Sequence, residues 1–395
     1  MAHAASTAPR GSVPEAAHSA APTHIPWFLW CCVIATTSAV IGGIWDISWH
    51  ESIGRDSFWT PAHMFIYACG VLAGIACGYL ILATTFDTNS PLRAASVRMW
   101  GFRAPLGAFI AAWGGVAMLV SAPFDNWWHN AYGLDVKVLS PPHVVLILGL
   151  MAVRFGTLIL VLGWMNRAAG ALRTRLEALF LYIGALVVGL VVGAFMEMTN
   201  RVFMHGARFY LVIAIIVPIT LAAVVRASGH RWAATLTMGI LTAIALLFTW
   251  ILPLFPATPK LGPVYHHVTN FVPPDFPLLL IVPAILFDLL RPRLIGFGEW
   301  GRSIVQGLAF LGLFLAVQWP FADFLLSNGS RNWIFGTANV PYFTPNTSAL
   351  VRNVFISTEP TAIAFAVKLA FAFVAAVISM RLGFAWGTWM QRIKR

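Results

Sequence analysis

The residues best able to do chemistry sit in two short polar runs of an otherwise apolar chain. The first is WDISWHESIGRDSFWTPAH, residues 45–63, and the second is FDNWWHNAYGLDVKVLSPPH, residues 124–143. Both read Asp-x-x-Trp-His-x-x-x-Gly-x-Asp, then a short spacer, then Ser/Thr-Pro-x-His, with the second spacer one residue longer. Asp46, Trp49, His50, Gly54, Asp56, Pro61 and His63 therefore correspond to Asp125, Trp128, His129, Gly133, Asp135, Pro141 and His143. Asp and His four residues apart lie on one face of a helix, so a carboxylate oxygen and an imidazole nitrogen can converge on one point. A tight reversal then delivers His63, or His143, from the first turn of the next helix. Thr60 suits the N-cap there and Pro61 the first helical position. The positive end of the helix dipole disfavours imidazolium and keeps such a histidine free to ligate.

Two histidines and one carboxylate suit a first-row transition metal: copper, iron or zinc. Asp46, His50 and His63 form the first candidate metal site, and Asp125, His129 and His143 the second. Arg55, Asp56 and Asp135 are expected behind them, holding the histidines in place. The alternative for each run is a metal-free network of hydrogen-bonded polar corners. Glu197 and His205 echo the pattern without the helix-opening histidine, so a charged pair or a substrate-lining group is expected there. The Tyr265-His266-His267 loop is expected to be an exposed cap. The chain has 17 tryptophans, most of them expected at membrane interfaces, and Trp45, Trp49, Trp59, Trp127 and Trp128 stand where they could wall off the sites.

The elements that carry these residues follow from composition. Of 395 residues, 59% are hydrophobic and 10% charged, and the mean hydropathy is +0.79. A soluble domain carries about 25% charged residues, so the chain reads as an all-α polytopic membrane protein with the lipid bilayer as its main partner. Spanning takes about 20 apolar residues as a helix. Candidate spans are roughly 26–49, 61–85, 104–124, 142–165, 176–199, 208–226, 232–255, 276–291, 303–320 and 360–382, about ten helices. The short 276–291 and 303–320 segments carry Pro or Gln.

The formal charge of +11 belongs to topology rather than to nucleic acid, because no basic-aromatic surface accompanies it. Arg93, Arg98 and Arg103, then Arg167, Arg173 and Arg175, then Arg226 and Arg231, then Arg291, Arg293 and Arg302 fill every second loop, and the chain ends QRIKR. The positive-inside rule puts those loops and both termini in the cytoplasm. The paired polar runs and the 321–359 loop then face the other side, of a bacterial inner membrane. Residues 1–25 read as a flexible cytoplasmic tail, and its His3, His18 and His24 lack metal spacing. Cys31, Cys32, Cys69 and Cys77 lie in apolar runs and read as buried structural thiols.

The run from Asp46 to His63 resembles the metal-binding stretch of the C polypeptide of the copper membrane monooxygenases, the particulate methane and ammonia monooxygenases. That family carries an Asp-x-x-x-His and then an Arg-Asp-Thr-x-Phe-Thr-Pro-Ser-His run. Asp46, His50 and His63 fall at its ligand positions, and Arg55, Asp56, Phe58, Thr60 and Pro61 match between them. A second site of that polypeptide, an Asn-x-x-x-His completed by a His on the next helix, is matched by Asp125, His129 and His143, with Asp125 where the family has Asn. The resemblance covers residues 25 to 165, the four-helix region 26–165, and leaves the six further helices of 166–395 unmatched. It implies copper at Asp46, His50 and His63 as the catalytic centre, dioxygen activation, and hydroxylation of a small apolar substrate. It also implies partner membrane subunits with a soluble copper-binding domain; a homo-oligomer is a further candidate. Two other readings stay open. One is a membrane copper-handling or transport protein, for which Met196, Met198 and Met204 are a thin cluster of soft ligands. The other is a structural membrane subunit without metal.

Overall fold

The computed structural model describes residues 22–54, 56–133, 140–199, 203–260, 267–338 and 359–394. The helices are α1 (Trp27–Ser52), α2 (Pro61–Phe86), α3 (Leu106–Tyr132), α4 (Pro141–Met165), α5 (Gly170–Ala194), α6 (Met196–Thr199), α7 (Ala207–Ser228), α8 (Ala233–Ile251), α9 (Ile281–Leu290), α10 (Glu299–Leu325) and α11 (Ala362–Met390). Among the described residues, nine of these are long and apolar enough to cross a membrane: α1 to α5, α7, α8, α10 and α11. The protein is an all-helical, polytopic membrane architecture. Its one small sheet among the described residues is a hairpin, β1 (Val97–Met99) with β2 (Phe102–Ala104). Trp100 and Gly101 close it, both with positive φ, which is the backbone that a two-residue turn requires.

Helices α1 to α4 pack in sequence, α1 on α2, α2 on α3 and α3 on α4, and α1 closes on α4. Helix α5 leads from this bundle to α7, which packs along α11. One continuous core runs through both regions, from Phe28, Leu29 and Leu80 to Phe180, Phe209 and Phe314. Small residues set the closest approach. A Cβ on Gly114 of α3 would sit 2.6 Å from the Val153 nitrogen and 2.8 Å from the Gly149 carbonyl oxygen of α4. The two backbones touch there, as small residues allow in membrane bundles.

The expected span over 276–291 is corrected. Only the ten residues of α9, Ile281–Leu290, are α-helical there. Before them the chain runs without regular structure, because Pro273, Pro274 and Pro277 remove backbone donors. Side chains of neighbouring helices satisfy what remains. Ser48 Oγ donates to the Val272 carbonyl at 2.5 Å, the Val272 N–H to Ser52 Oγ at 2.8 Å, and the Leu279 N–H to Gln318 Oε1 at 3.0 Å. The segment starts beside the C-terminal end of α1. It finishes where Asp288 of α9 accepts hydrogen bonds from the Ala234 and Thr235 N–H groups that open α8. Residues 271–290 thus pass from one end of the bundle to the other with a broken helix, which buried polar partners make tolerable. The expected 303–320 span is, by contrast, a complete helix, α10.

Asp288, its side chain fully buried, also accepts from the Thr235 hydroxyl and faces Arg291 at 3.8 Å. It acts as a cap supplied from another helix. Asp288→Ala is expected to cost about 1–2 kcal/mol, the usual range for a lost N-terminal cap. Thermal unfolding in detergent reads this as a lower Tm; an unchanged Tm would show that water replaces the cap.

Candidate metal centre

Each polar run sits where one helix ends and the next begins. Helix α1 carries Asp46 and His50 on its last turns, and α3 continues through Pro123 to bring Asp125 and His129 onto the matching turns. Gly54 and Gly133 follow these helix ends, both with positive φ (80° and 93°), the backbone that lets the chain turn away at once. Pro61 opens α2 and Pro141 opens α4, so His63 and His143 are each the third residue of their helix. The capping expectation is corrected: Thr60 makes no side-chain cap to α2. Its hydroxyl instead accepts from the Ser57 N–H at 2.8 Å, closing the reversal before the helix.

In the first site, His63 Nε2 lies 3.1 Å from Asp46 Oδ1, and His50 Nε2 lies 3.8 Å from Asp46 Oδ2. In the second, His129 and His143 each point Nε2 at Asp125, to Oδ2 and Oδ1 respectively, at 3.3 Å. Within each triad the three donor atoms lie within 4.8 Å of one another. Asp46 Oδ1 and Asp125 Oδ1 are buried and accept no hydrogen bond of proper geometry among the described residues, despite these short distances. Lone pairs that crowd together without bonding to each other are the arrangement a cation would satisfy. The donors therefore fit a borderline first-row metal bound through two Nε2 atoms and a carboxylate.

Asp56 stands closer than expected. Its Oδ2 lies 3.4 Å from His50 Nε2 and 3.3 Å from His63 Nε2, with its side chain 8% exposed. A group that merely held the rings would take Nδ1. Asp56 instead faces Nε2, the nitrogen that both rings turn toward Asp46, so it could serve as a further ligand. Burial works to raise its carboxyl, but the hydrogen bond with His50 and the charges of His50, His63 and His129 outweigh this and hold it below the ordinary carboxylate range. Asp56→Asn is expected to weaken metal binding at the first site by roughly 10–100-fold, the range for groups next to a metal. Competition against a chelator of known affinity measures it; unchanged affinity would leave Asp56 a spectator.

Compared with known proteins, the chain matches no family model, no curated relative and no solved structure.

One cleft of about 520 Å³ reaches members of both triads: His63 of the first, with Asp56, Ser57, Phe58 and Tyr67, and Asp125 and His129 of the second, with Asn126, Asn130 and Gly133. Tyr67 and the two asparagines are not among the candidates that the sequence marks. Tyr67 follows His63 by four residues and so shares its helix face, a signal that spacing carries; its ring lies 5.9 Å from that of His63. Asn126 and Asn130 follow Asp125 and His129 by one residue and have no such mark. The flank of the first site comes from the C-terminal region: Trp49 packs on Phe271 with ring centroids 5.8 Å apart, and the Lys260 N–H donates to the Ile53 carbonyl. Trp45 packs on Phe65, whereas Trp59 and Trp127 face outward.

Among the described residues His205 joins no metal cluster. Its Nε2 lies 2.8 Å from Asp323 Oδ1 of α10 and its ring meets Trp319 edge to face. His24 and His267 are exposed. Arg55, Asp135, His3, His18, Tyr265 and His266 lie outside the described residues, as do the side chain of Glu197 and residues 339–358 of the 321–359 loop.

Proposed function

We propose that the chain is a copper-dependent membrane oxidoreductase, or one component of such an enzyme, which activates dioxygen to hydroxylate a small apolar substrate. The observation that carries this is the pair of Asp-His-His triads, joined by a cleft that His63, Asp125 and His129 line, each triad with a buried carboxylate oxygen that accepts no well-formed hydrogen bond. The motif resemblance of residues 45–63 and 124–143 to the C polypeptide of the copper membrane monooxygenases supports copper over iron or zinc. Asp46, His50 and His63, with Asp56 beside them, would hold the first metal, and Asp125, His129 and His143 the second. Bound copper would supply one-electron redox chemistry and an open position for dioxygen. The protein's own part is to orient the imidazoles, to balance the metal's charge with Asp46 and Asp56, and to seat the reaction at the end of a lipid-facing bundle that an apolar substrate reaches through the bilayer. The arginine-rich alternate loops support termini in the cytoplasm of a bacterial inner membrane and the triads on the opposite face. Partner membrane subunits, a copper-binding soluble domain and self-association belong to the same reading.

The test is dioxygen uptake by the copper-loaded, reduced protein in nanodiscs with short alkanes or ammonia, wild type beside His50→Ala. Uptake that needs both His50 and substrate supports the proposal. Stoichiometric copper with no uptake under any reductant overturns it. A second reading, copper handling or transport, is favoured by one feature: the cleft is lined by Asp, Asn and Ser, which suit a hydrated cation. Copper accumulation in proteoliposomes, lost in both His50→Ala and His129→Ala, would select it.

A further inference from the structure

The same hairpin that carries the first triad holds two thiols in contact. Cys32 of α1 and Cys77 of α2 place their sulfurs 3.6 Å apart. Both are buried, 0% and 1% exposed, among Phe28, Leu29, Val33 and Leu80. Cys32 precedes Asp46 by fourteen residues and Cys77 follows His63 by fourteen. At 1.5 Å per residue the thiols lie about 21 Å from the triad, level with each other on antiparallel helices. The helices are held closely: a Cβ on Gly42 would meet the Ala62 carbonyl oxygen of α2 at 2.8 Å.

We propose that Cys32 and Cys77 are a site of reversible oxidation, which forms a disulfide that staples α1 to α2. Three physical points carry it. The sulfurs already touch, so bond formation needs a closing movement of roughly 1.5 Å to the usual 2.05 Å, with no search. The pocket is apolar, which penalises a thiolate pair or a thiolate-bound cation but accepts a neutral disulfide. The chain between the two cysteines includes the whole reversal at residues 53–60, so the bond closes a ring around the hairpin that positions Asp46 and His50 against His63. In the reaction both S–H bonds break and one S–S bond forms. Two electrons and two protons pass to a membrane-soluble acceptor; with dioxygen the product is hydrogen peroxide. Burial makes the reaction slow, because the thiolate is the reactive form. Cys31 and Cys69 take no part. The inference stands apart from the metal reading.

The full chain in nanodiscs is treated for hours with diamide, a membrane-permeant azo oxidant that is reduced to its hydrazine. It is then denatured, alkylated and weighed intact. The number of alkylated thiols is expected to fall from four to two and to return to four after reduction. Proteolysis should yield a peptide linking Cys32 to Cys77. Cys32→Ser and Cys77→Ser should each keep all three remaining thiols alkylatable, whereas Cys69→Ser should fall from three to one. Four alkylated thiols in the oxidised wild type, or a bond that uses Cys31 or Cys69, overturns the proposal; the wild-type measurement decides it even where a variant fails to fold.

Discussion

Purified without chelator and loaded with copper, the wild-type chain is expected to hold two metal ions, and His63→Ala one. His63 faces both Asp46 and Asp56, so its removal takes away a ligand and leaves two carboxylates turned toward the same space. Changes beside a metal already cost 10–100-fold in affinity; loss of a ligand at the first site should exceed about 100-fold. His129→Ala and His143→Ala should remove the other equivalent, because each leaves Asp125 with a single imidazole. Both metals should bind more weakly as pH falls, since ligation needs neutral histidine and protons compete for it. Metal analysis of the variants by mass spectrometry checks all of this. Iron or zinc at the same positions would keep the sites and overturn the copper chemistry. Full stoichiometry in both His63→Ala and His129→Ala would remove the triads from consideration, and no metal in any preparation would make them structural corners.

A large effect on the fold is expected at Gly114. Gly114→Val would force its side chain into the Val153 nitrogen and the Gly149 carbonyl oxygen, neither of which can move without shifting α4. Overpacking of this kind costs about 1–3 kcal/mol where side chains can yield, and backbone contact belongs at the upper end. Helices α3 and α4 should separate, and Asp125 and His129 should lose their register with His143. The second metal should therefore be lost while the first, built between α1 and α2, remains. Gly74→Val is the control, because a Cβ there meets nothing within 4 Å; its thermal unfolding in detergent should stay close to wild type. Equal losses in the two variants would show that helix propensity, not the α3–α4 contact, sets the cost.

Much of this architecture is written in local periodicity. Long apolar runs can bury their backbone in a bilayer only as helices, so the nine spans among the described residues follow from length and composition. Asp46 with His50, and Asp125 with His129, share a helix face by spacing alone. Pro61 and Pro141 mark the helix starts that seat His63 and His143 in the first turn. The close approach of each third ligand then follows from a short reversal between adjacent helices.

What spacing does not carry is the meeting of residues far apart in the chain. Residues 276–291 have the composition of a span, but Ser48, Ser52 and Gln318, supplied by α1 and α10, satisfy the unwound backbone and let the helix start late. By spacing Asp56 reads as a supporting group; the turn closed by Ser57 and Thr60 aims it at the nitrogens that would face a metal. The shared cleft depends on α2 packing against α3, and the contact of Cys32 with Cys77 on how closely α1 and α2 approach. Local pattern determined which helices form and which faces carry ligands, because 3.6-residue periodicity and proline placement act within a few turns. Tertiary packing alone decided which of those faces meet, because that depends on side-chain volumes and hydrogen-bond partners contributed by helices distant in sequence.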